Sequence, residues 1–486
     1  MRILLISPEV VPFAKTGGLA DVAGALPKAL KAIGHDVRVF MPRYKKVNCR
    51  MKKINSLKVK LGGFTENVNI CEGRIPDTDI PVYFVDHQKY FGSREELYQV
   101  KGIDYPDNLE RFSLFCQAAP LFLKAINWKP DIVHCNDWQS ALVIAHLKVT
   151  YKNDPFFNRT GTVYSIHNMG YLGMFDKEDI YLTGFDWQIF KQDYLEFWDN
   201  LALTKGGIAF ADVINTVSET YAREIQTPEN GYGLDGMLRS RSRDIYGIIN
   251  GIDYDIWNPA TDKNIPRRYS TATLSLKVEN KIQLQHKNSL PQKVETPVIG
   301  MISRLADQKG FDILAGVIEP LLHEHCQFVV LGTGEPKYHR LFQELKQKYP
   351  NHIGINLSFD AIFAELIYSG ADMFLMPSRY EPCGLGQMIS FKYGTIPIVR
   401  KTGGLADTVH NYDSKTGEGE GFVFEEYSSK ALLGAINHAI ETFHKKSIWK
   451  SLQEKVMQLD YSWDASAKKY VSLYMKALEK VGIKPL

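Results

Sequence analysis

Short apolar runs rich in Val, Ile and Leu alternate with stretches of helical spacing along nearly the whole chain. The runs Arg2–Ser7, Val37–Pro42, Val82–Asp86, Ile132–Asn136, Thr162–Ile166, Val213–Val217 and Ile245–Asn250 predict one series of strands. A second series is predicted at Val298–Ser303, Phe328–Gly332, Ile353–Leu357, Met373–Pro377, Ile396–Val399 and Phe422–Phe424. Leu4-Leu5-Ile6 and Phe328-Val329-Val330-Leu331 are apolar on both faces, as central strands of a parallel sheet must be. Such strands alternating with helices read as α/β, doubly wound, and two series imply two sheets. Asn258–Thr296, punctuated by Pro259, Pro266 and Pro291, reads as a junction or peripheral helices. The expected organisation is a first Rossmann-like domain over residues 1–245 and a second over 246–461. Residues 462–486 follow, where Ala467, Tyr470, Val471, Tyr474 and Leu478 recur at helical spacing in a helix expected to pack back on the first domain.

Composition narrows the classes. At 486 residues with 44% hydrophobic and 23% charged positions, the chain has an ordinary globular make-up and length for large cores. A net charge of only +3, with basic residues in short pairs such as Lys45-Lys46, argues against a nucleic-acid partner. The six cysteines form no CxxC pair and have no histidine cluster at zinc spacing, so buried thiols are expected and no metal. No apolar run reaches the length of a secretory or membrane segment, which makes the default location cytoplasmic and the expected partners exclude a membrane.

Lys15-Thr-Gly-Gly-Leu-Ala-Asp21 recurs letter for letter as Lys401-Thr-Gly-Gly-Leu-Ala-Asp407, each after a strand and before helix-forming residues. We read these as two equivalent strand-to-helix turns, one per sheet. In the first, Gly17 and Gly18 would let backbone N–H groups approach a phosphate, with Lys15 beside them. A plain tight turn with a solvated lysine is the alternative. Arg304 and Lys309 lie in the loop after the strand Val298–Ser303, a fork and a point charge suited to a diphosphate. There the alternative is a helix-start salt bridge to Asp307. In Pro377-Ser-Arg-Tyr-Glu381-Pro-Cys383-Gly384-Leu385-Gly386, a carboxylate follows a strand end and a helical pattern begins at Gly384. Glu381 then suits a polar sugar face, while the N–H groups of Cys383, Gly384 and Leu385 suit phosphate.

Together with His134-Cys-Asn-Asp137-Trp138, Ser165-Ile-His167-Asn168 and Tyr461-Ser-Trp463, these motifs resemble those of bacterial and plant starch and glycogen synthases over essentially the whole chain. The resemblance implies a GT-B fold, two doubly wound Rossmann-like domains facing across a cleft, which should close on the donor. It implies transfer of glucose from ADP-glucose to the non-reducing 4-hydroxyl of an α-1,4-glucan (glycogen or starch) with retention, without metal or cofactor. A plastid stroma would be the location if the chain were a mature plastid form. Residue by residue, Lys15, Gly17 and Gly18 would face the diphosphate, with Asp21 beside them, and Arg304 and Lys309 would neutralise it. Glu381 would hold the glucose, with backbone contacts from Cys383, Gly384 and Leu385. His167 would lie beside the anomeric carbon, Asp137 and Asn250 against sugar hydroxyls, Phe359 under the adenine, and Tyr98 on the acceptor side. Phe359 replaces the tyrosine associated with that position, and Gly386 replaces a hydroxyl residue of some relatives. The runners-up are a UDP-glucose transferase, a phosphorylase and a non-catalytic glucan-binding scaffold.

Overall fold

A computed structural model describes residues 1–323 and 326–483. They form two compact units, Met1–Gly251 with the segment from Trp463 on, and Ile252–Ser462.

The first unit is built on a nine-stranded sheet: β1 (Arg2–Ile6), β2 (Asp36–Pro42), β3 (Lys52–Leu61), β4 (Phe64–Arg74), β5 (Pro81–Asp86), β6 (Ile132–Asn136), β7 (Gly161–Ile166), β8 (Val213–Thr216) and β9 (Ile245–Gly247). The spatial order is β9-β8-β7-β6-β1-β2-β5-β4-β3. Pairing is parallel from β9 to β5 and antiparallel in the β5-β4-β3 edge. The predicted strands lie in the parallel part, where each is covered on both faces and so reads as a continuous apolar run. The hairpin of β3 and β4 was not predicted. Its outer strand begins with exposed Lys52-Lys53 and ends by alternating exposed Lys58 and Lys60 with half-buried Leu57 and buried Val59 and Leu61, the usual make-up of an edge. Gly62-Gly63 closes it between paired Leu61 and Phe64, with Gly62 at φ 57°.

Ile245 pairs with Ile214, so the backbone past residue 245 still belongs to the first sheet, and this unit runs on to Gly251. The chain returns to it through the helix Trp463–Lys480, whose Tyr470, Leu473, Tyr474 and Ala477 are buried. That docking is polar as well as apolar. The Tyr474 hydroxyl meets His134 Nδ1 at 2.9 Å, His134 Nε2 meets Ser165 Oγ at 2.6 Å, and Ser165 donates to Asn215 Oδ1 at 2.7 Å. Read as a chain of donations, this leaves the buried imidazole neutral with both nitrogens satisfied, and burial drives its pKa down to about 3. His134 is therefore a core histidine.

The second unit carries six parallel strands: β10 (Val298–Ile302), β11 (Gln327–Leu331), β12 (Ile353–Asn356), β13 (Met373–Met376), β14 (Ile396–Arg400) and β15 (Phe422–Phe424), in the order β12-β11-β10-β13-β14-β15. Ile299, Met301, Phe328, Val330, Leu375 and Ile398 form its core with Phe342, Leu432, Ile436 and Trp449 from the covering helices. Within the expected junction, the helix Lys277–Lys287 packs into this unit, and buried Lys277 donates to the carbonyls of Tyr368 and Ser369 at 3.2 and 2.8 Å. No disulfide forms among the described residues, and Cys71, Cys116, Cys135, Cys326 and Cys383 are buried. No helix among them is long and apolar enough to cross a membrane.

Candidate active site

In each sheet the chain leaves one central strand in one direction and later returns on its other side. That switch point opens a crevice at the carboxyl ends of the strands, where doubly wound sheets bind ligands. In the first unit it lies between β1 and β6, and in the second between β10 and β13.

The first unit brings Lys15, Asp137, His167 and Asn250 to the ends of β1, β6, β7 and β9. Gly18 begins the helix Gly18–Ala32, with Gly17 as its cap in extended backbone, φ −150°. A Cβ on Gly17 would meet nothing within 4 Å. Neither backbone conformation nor internal packing calls for glycine there. Lys15 pairs with Asp21 at 2.7 Å while both remain partly exposed, and burial raises the Asp21 carboxyl against the opposing pull of Lys15. The loop itself hangs on Glu9, a residue sequence reasoning did not single out. Its buried carboxylate accepts from the Thr16 N–H and hydroxyl, from the Gly17 N–H at 3.3 Å, and from the Tyr98 hydroxyl at 2.7 Å. Tyr98 thus reaches this site through Glu9, with its own carbonyl held by Asn108 at 3.0 Å.

Asp137 stands in the left-handed region, φ 55°, a strained conformation for a residue with a side chain. It does not cap the helix Trp138–Lys148 that it precedes; Oδ1 accepts the His167 N–H at 2.7 Å instead. Burial, partly opposed by that hydrogen bond, raises its pKa to about 7. His167 is driven the other way by burial, to about 3, so its ring is neutral. Asn136 Nδ2 donates to the Ile6 carbonyl at 3.1 Å, which turns Asn136 Oδ1 toward His167 Nε2 at 2.9 Å. Nε2 therefore carries the proton, and the ring serves as a fixed neutral wall with Nδ1 unprotonated. Asn250 is buried, and its Oδ1 has no hydrogen-bond partner among the described residues. A buried orphan acceptor is costly unless something else supplies a donor.

The second unit assembles its set from the loops after β10 and β13. Lys309 Nζ lies 2.6 Å from Glu381 Oε2, and the Ser378 hydroxyl donates to the same oxygen at 2.9 Å. The loops interlock on glycine: Gly310 has φ 79°, and a Cβ there would fall 2.0 Å from the Pro377 carbonyl oxygen. Asp307 is committed to Lys337 and Tyr338, so the salt-bridge alternative for Arg304 and Lys309 does not form. Exposed Arg304 touches Gln308 at 3.3 Å, leaving its fork turned to solvent. Gly384 takes φ 71°, and the helix starts at Gly386 with Leu385 as its cap, two residues beyond the expected start; Cys383, Gly384 and Leu385 form the turn into it. Gly386 packs on Phe374, whose ring would be 2.7 Å from a Cβ. Phe359, after β12, is 88% exposed.

The two echoes both lead from a strand into a helix, but their contacts differ. In the second, Cβ atoms on Gly403 and Gly404 would each lie 2.0 Å from a carbonyl oxygen, of Glu381 and Cys383 respectively, and Gly404 N–H donates to Glu381 O at 3.1 Å. Lys401 pairs at the surface with Glu425 at 2.5 Å. This second turn is the cradle of the Glu381 loop.

Residues 2–240 match the family described as starch synthase catalytic domain, and residues 283–451 match glycosyl transferases group 1. The catalytic domain of starch synthase IV from Arabidopsis thaliana, bound to ADP and acarbose, superposes with a TM-score of 0.90 at 34% identity over 98% of this chain and 99% of that one. Sucrose-phosphate synthase from Thermosynechococcus elongatus shares the fold, with a TM-score of 0.59 at 17% identity over 97% of this chain and 98% of that one. The class is thus a glycosyltransferase with two Rossmann-like domains, GT-B. Glycogen synthase of Thermotoga maritima is 49% identical over 99% of this chain and 100% of its own length, and that of Moorella thermoacetica 46% over 99% and 97%. The chain belongs to the glycogen and starch synthase family of retaining glucosyltransferases.

Proposed function

We propose that the chain transfers glucose from ADP-glucose to the non-reducing 4-hydroxyl of an α-1,4-glucan with retention of the α configuration. The observation that carries this reading is the Lys309–Glu381 pair at the switch point of the second sheet, with Arg304 in the same loop as Lys309. The Arabidopsis relative, bound to ADP and acarbose, supports a nucleotide diphosphate and an oligosaccharide as ligands.

Arg304 and Lys309 neutralise the departing diphosphate, which lowers the barrier because their charge is aimed where negative charge develops. Lys15, on leaving Asp21, and the Gly17–Gly18 backbone are the first unit's donors for phosphate. Glu381, held by Ser378 and Lys309, grips the glucose hydroxyls; the turn Cys383-Gly384-Leu385 adds backbone donors. Asn250 Oδ1 accepts a sugar hydroxyl, which relieves its orphaned state. Neutral His167 lines the anomeric carbon, and Asp137, which orients it, takes a further hydroxyl. Phe359 stacks on adenine, which explains its exposure without ligand. The acceptor's proton goes to the departing diphosphate, and the cations make a metal or organic cofactor unnecessary. The bacterial relatives support a cytoplasmic location over a plastid stroma.

The test offers glycogen with labelled ADP-glucose or UDP-glucose. Label entering the polymer from ADP-glucose is the expected result. Entry from UDP-glucose alone would reassign the donor, and no entry from either by protein that still binds glycogen would make it a scaffold.

A further inference from the structure

The first unit also buries an arginine completely. Arg111 lies near the start of the helix Asn108–Ala125 and has no solvent exposure. Phe91, Phe112 and Tyr105 surround its guanidinium, with ring centroids 5.0, 5.1 and 5.3 Å from the central carbon. Among the described residues no carboxylate pairs with it, and the neighbouring Asp107 is bound by Arg94. Nε and Nη2 have no hydrogen-bond partner there either. A charge is expensive to bury on those terms, and an apolar side chain of similar volume commonly folds as well or better. Stability therefore does not account for this arginine.

What it holds is the setting of Tyr98. Nη1 donates to the Leu97 carbonyl at 3.0 Å and to Asn108 Oδ1 at 3.2 Å. With Oδ1 so engaged, the Asn108 amide is fixed the way round that lets Nδ2 donate to the Tyr98 carbonyl at 3.0 Å. The peptides on both sides of Tyr98 are thus pinned from one cation. At the far end of the side chain, the Tyr98 hydroxyl donates to Glu9 Oε1 at 2.7 Å. That oxygen also accepts the Thr16 hydroxyl, and Oε2 accepts the Thr16 and Gly17 N–H groups. An unbroken run of hydrogen bonds leads from Arg111 to the loop that carries Lys15, Gly17 and Gly18. Resting on the reading that this loop meets the donor's diphosphate, we propose that Arg111 is a positioning residue for the transfer: it sets Tyr98, and through Glu9 it holds the Thr16–Gly17 backbone ready for phosphate.

Three variants separate this role from mere packing. Arg111→Met keeps the reach of the side chain and removes its donors, and Arg111→Lys returns a charge and a donor. Asn108→Asp keeps an acceptor for Arg111, gives it a counter-charge, and loses the donor to the Tyr98 carbonyl. Initial rates are measured against ADP-glucose and against glycogen, alongside melting temperatures. Arg111→Met is expected to melt no lower than wild type, yet to raise the KM for ADP-glucose about tenfold, the scale of one hydrogen bond to a charged group. The KM for glycogen stays near its wild-type value, and Arg111→Lys recovers most of the loss. Asn108→Asp reproduces the rise, which keeps the test intact should Arg111→Met not fold. In a Tyr98→Phe background, where the link to Glu9 is already cut, Arg111→Met adds nothing further. A wild-type KM for ADP-glucose in folded Arg111→Met or in Asn108→Asp overturns the role. Full additivity with Tyr98→Phe, or a rise confined to the KM for glycogen, overturns it as well. A wild type that transfers no glucose from ADP-glucose defeats the functional reading instead.

Discussion

Strand ends were legible residue by residue, because charged and glycine-rich loops stand directly after apolar strand runs. Arg304, Lys309 and Glu381 were each readable that way. What sequence could not give was which group holds which. Glu9, Ser378 and Asn136 act by hydrogen-bonding a neighbouring loop or ring, and such partners arise from strand order, which no local pattern encodes. Glu9 left one trace, a carboxylate two residues past an apolar strand run. Asp137 supplies a test with a definite sign. Its carboxyl is raised from 3.8 to about 7, so the folded protein holds this proton more tightly than the unfolded chain does. Its contribution to stability is full below the unfolded value and is lost as pH climbs toward 7. Asp137→Asn keeps an acceptor for the His167 N–H and removes the titrating proton. We expect the variant to gain melting temperature over wild type at pH 8 and not at pH 4, while turnover drops roughly 10- to 100-fold with a sugar contact weakened. Equal melting differences at both pH values would contradict the assignment of a raised carboxyl.

At the scale of elements, identical letters produced two devices. Gly17 sits in open space and extended backbone, whereas its counterpart Gly403 has φ 45° and is wedged against the Glu381 carbonyl. Gly17→Ala should leave stability within about 0.5 kcal/mol of wild type yet raise the KM for ADP-glucose. Gly403→Ala should destabilise by about 3 kcal/mol through overpacking and release Glu381 with it. Denaturant melts of the two variants check the contrast, and equal destabilisation would erase it. The same scale explains the missed hairpin. Buried parallel strands announce themselves as apolar runs, but β3 meets solvent along most of its length, so its lysines read as surface; Gly62-Gly63 was the usable sign.

For the molecule as a whole, the feature that depends most on distant contacts is that the chain comes back. The helix Trp463–Lys480 completes the first unit, and its Tyr474 closes the buried relay through His134 to Asn215. Tyr474→Phe removes one donor from a fully buried ring nitrogen, and a loss of about 1–3 kcal/mol in unfolding free energy is expected. An unchanged denaturation midpoint would show that the relay contributes nothing. The helical spacing was readable; its polar partners were not, since His134 lies 340 residues upstream on β6 and Asn215 lies 255 upstream on β8.

The central claim is that the donor is broken down where Lys309 meets Glu381. Initial rates from ADP-glucose onto glycogen, compared for wild type and Lys309→Ala with folding checked by melting, test it most directly. The account predicts a fall in kcat of about 10²- to 10³-fold, the usual result of removing one preorganised charge from a leaving group, with the KM for glycogen little changed. A folded Lys309→Ala enzyme turning over at near wild-type rate would contradict it.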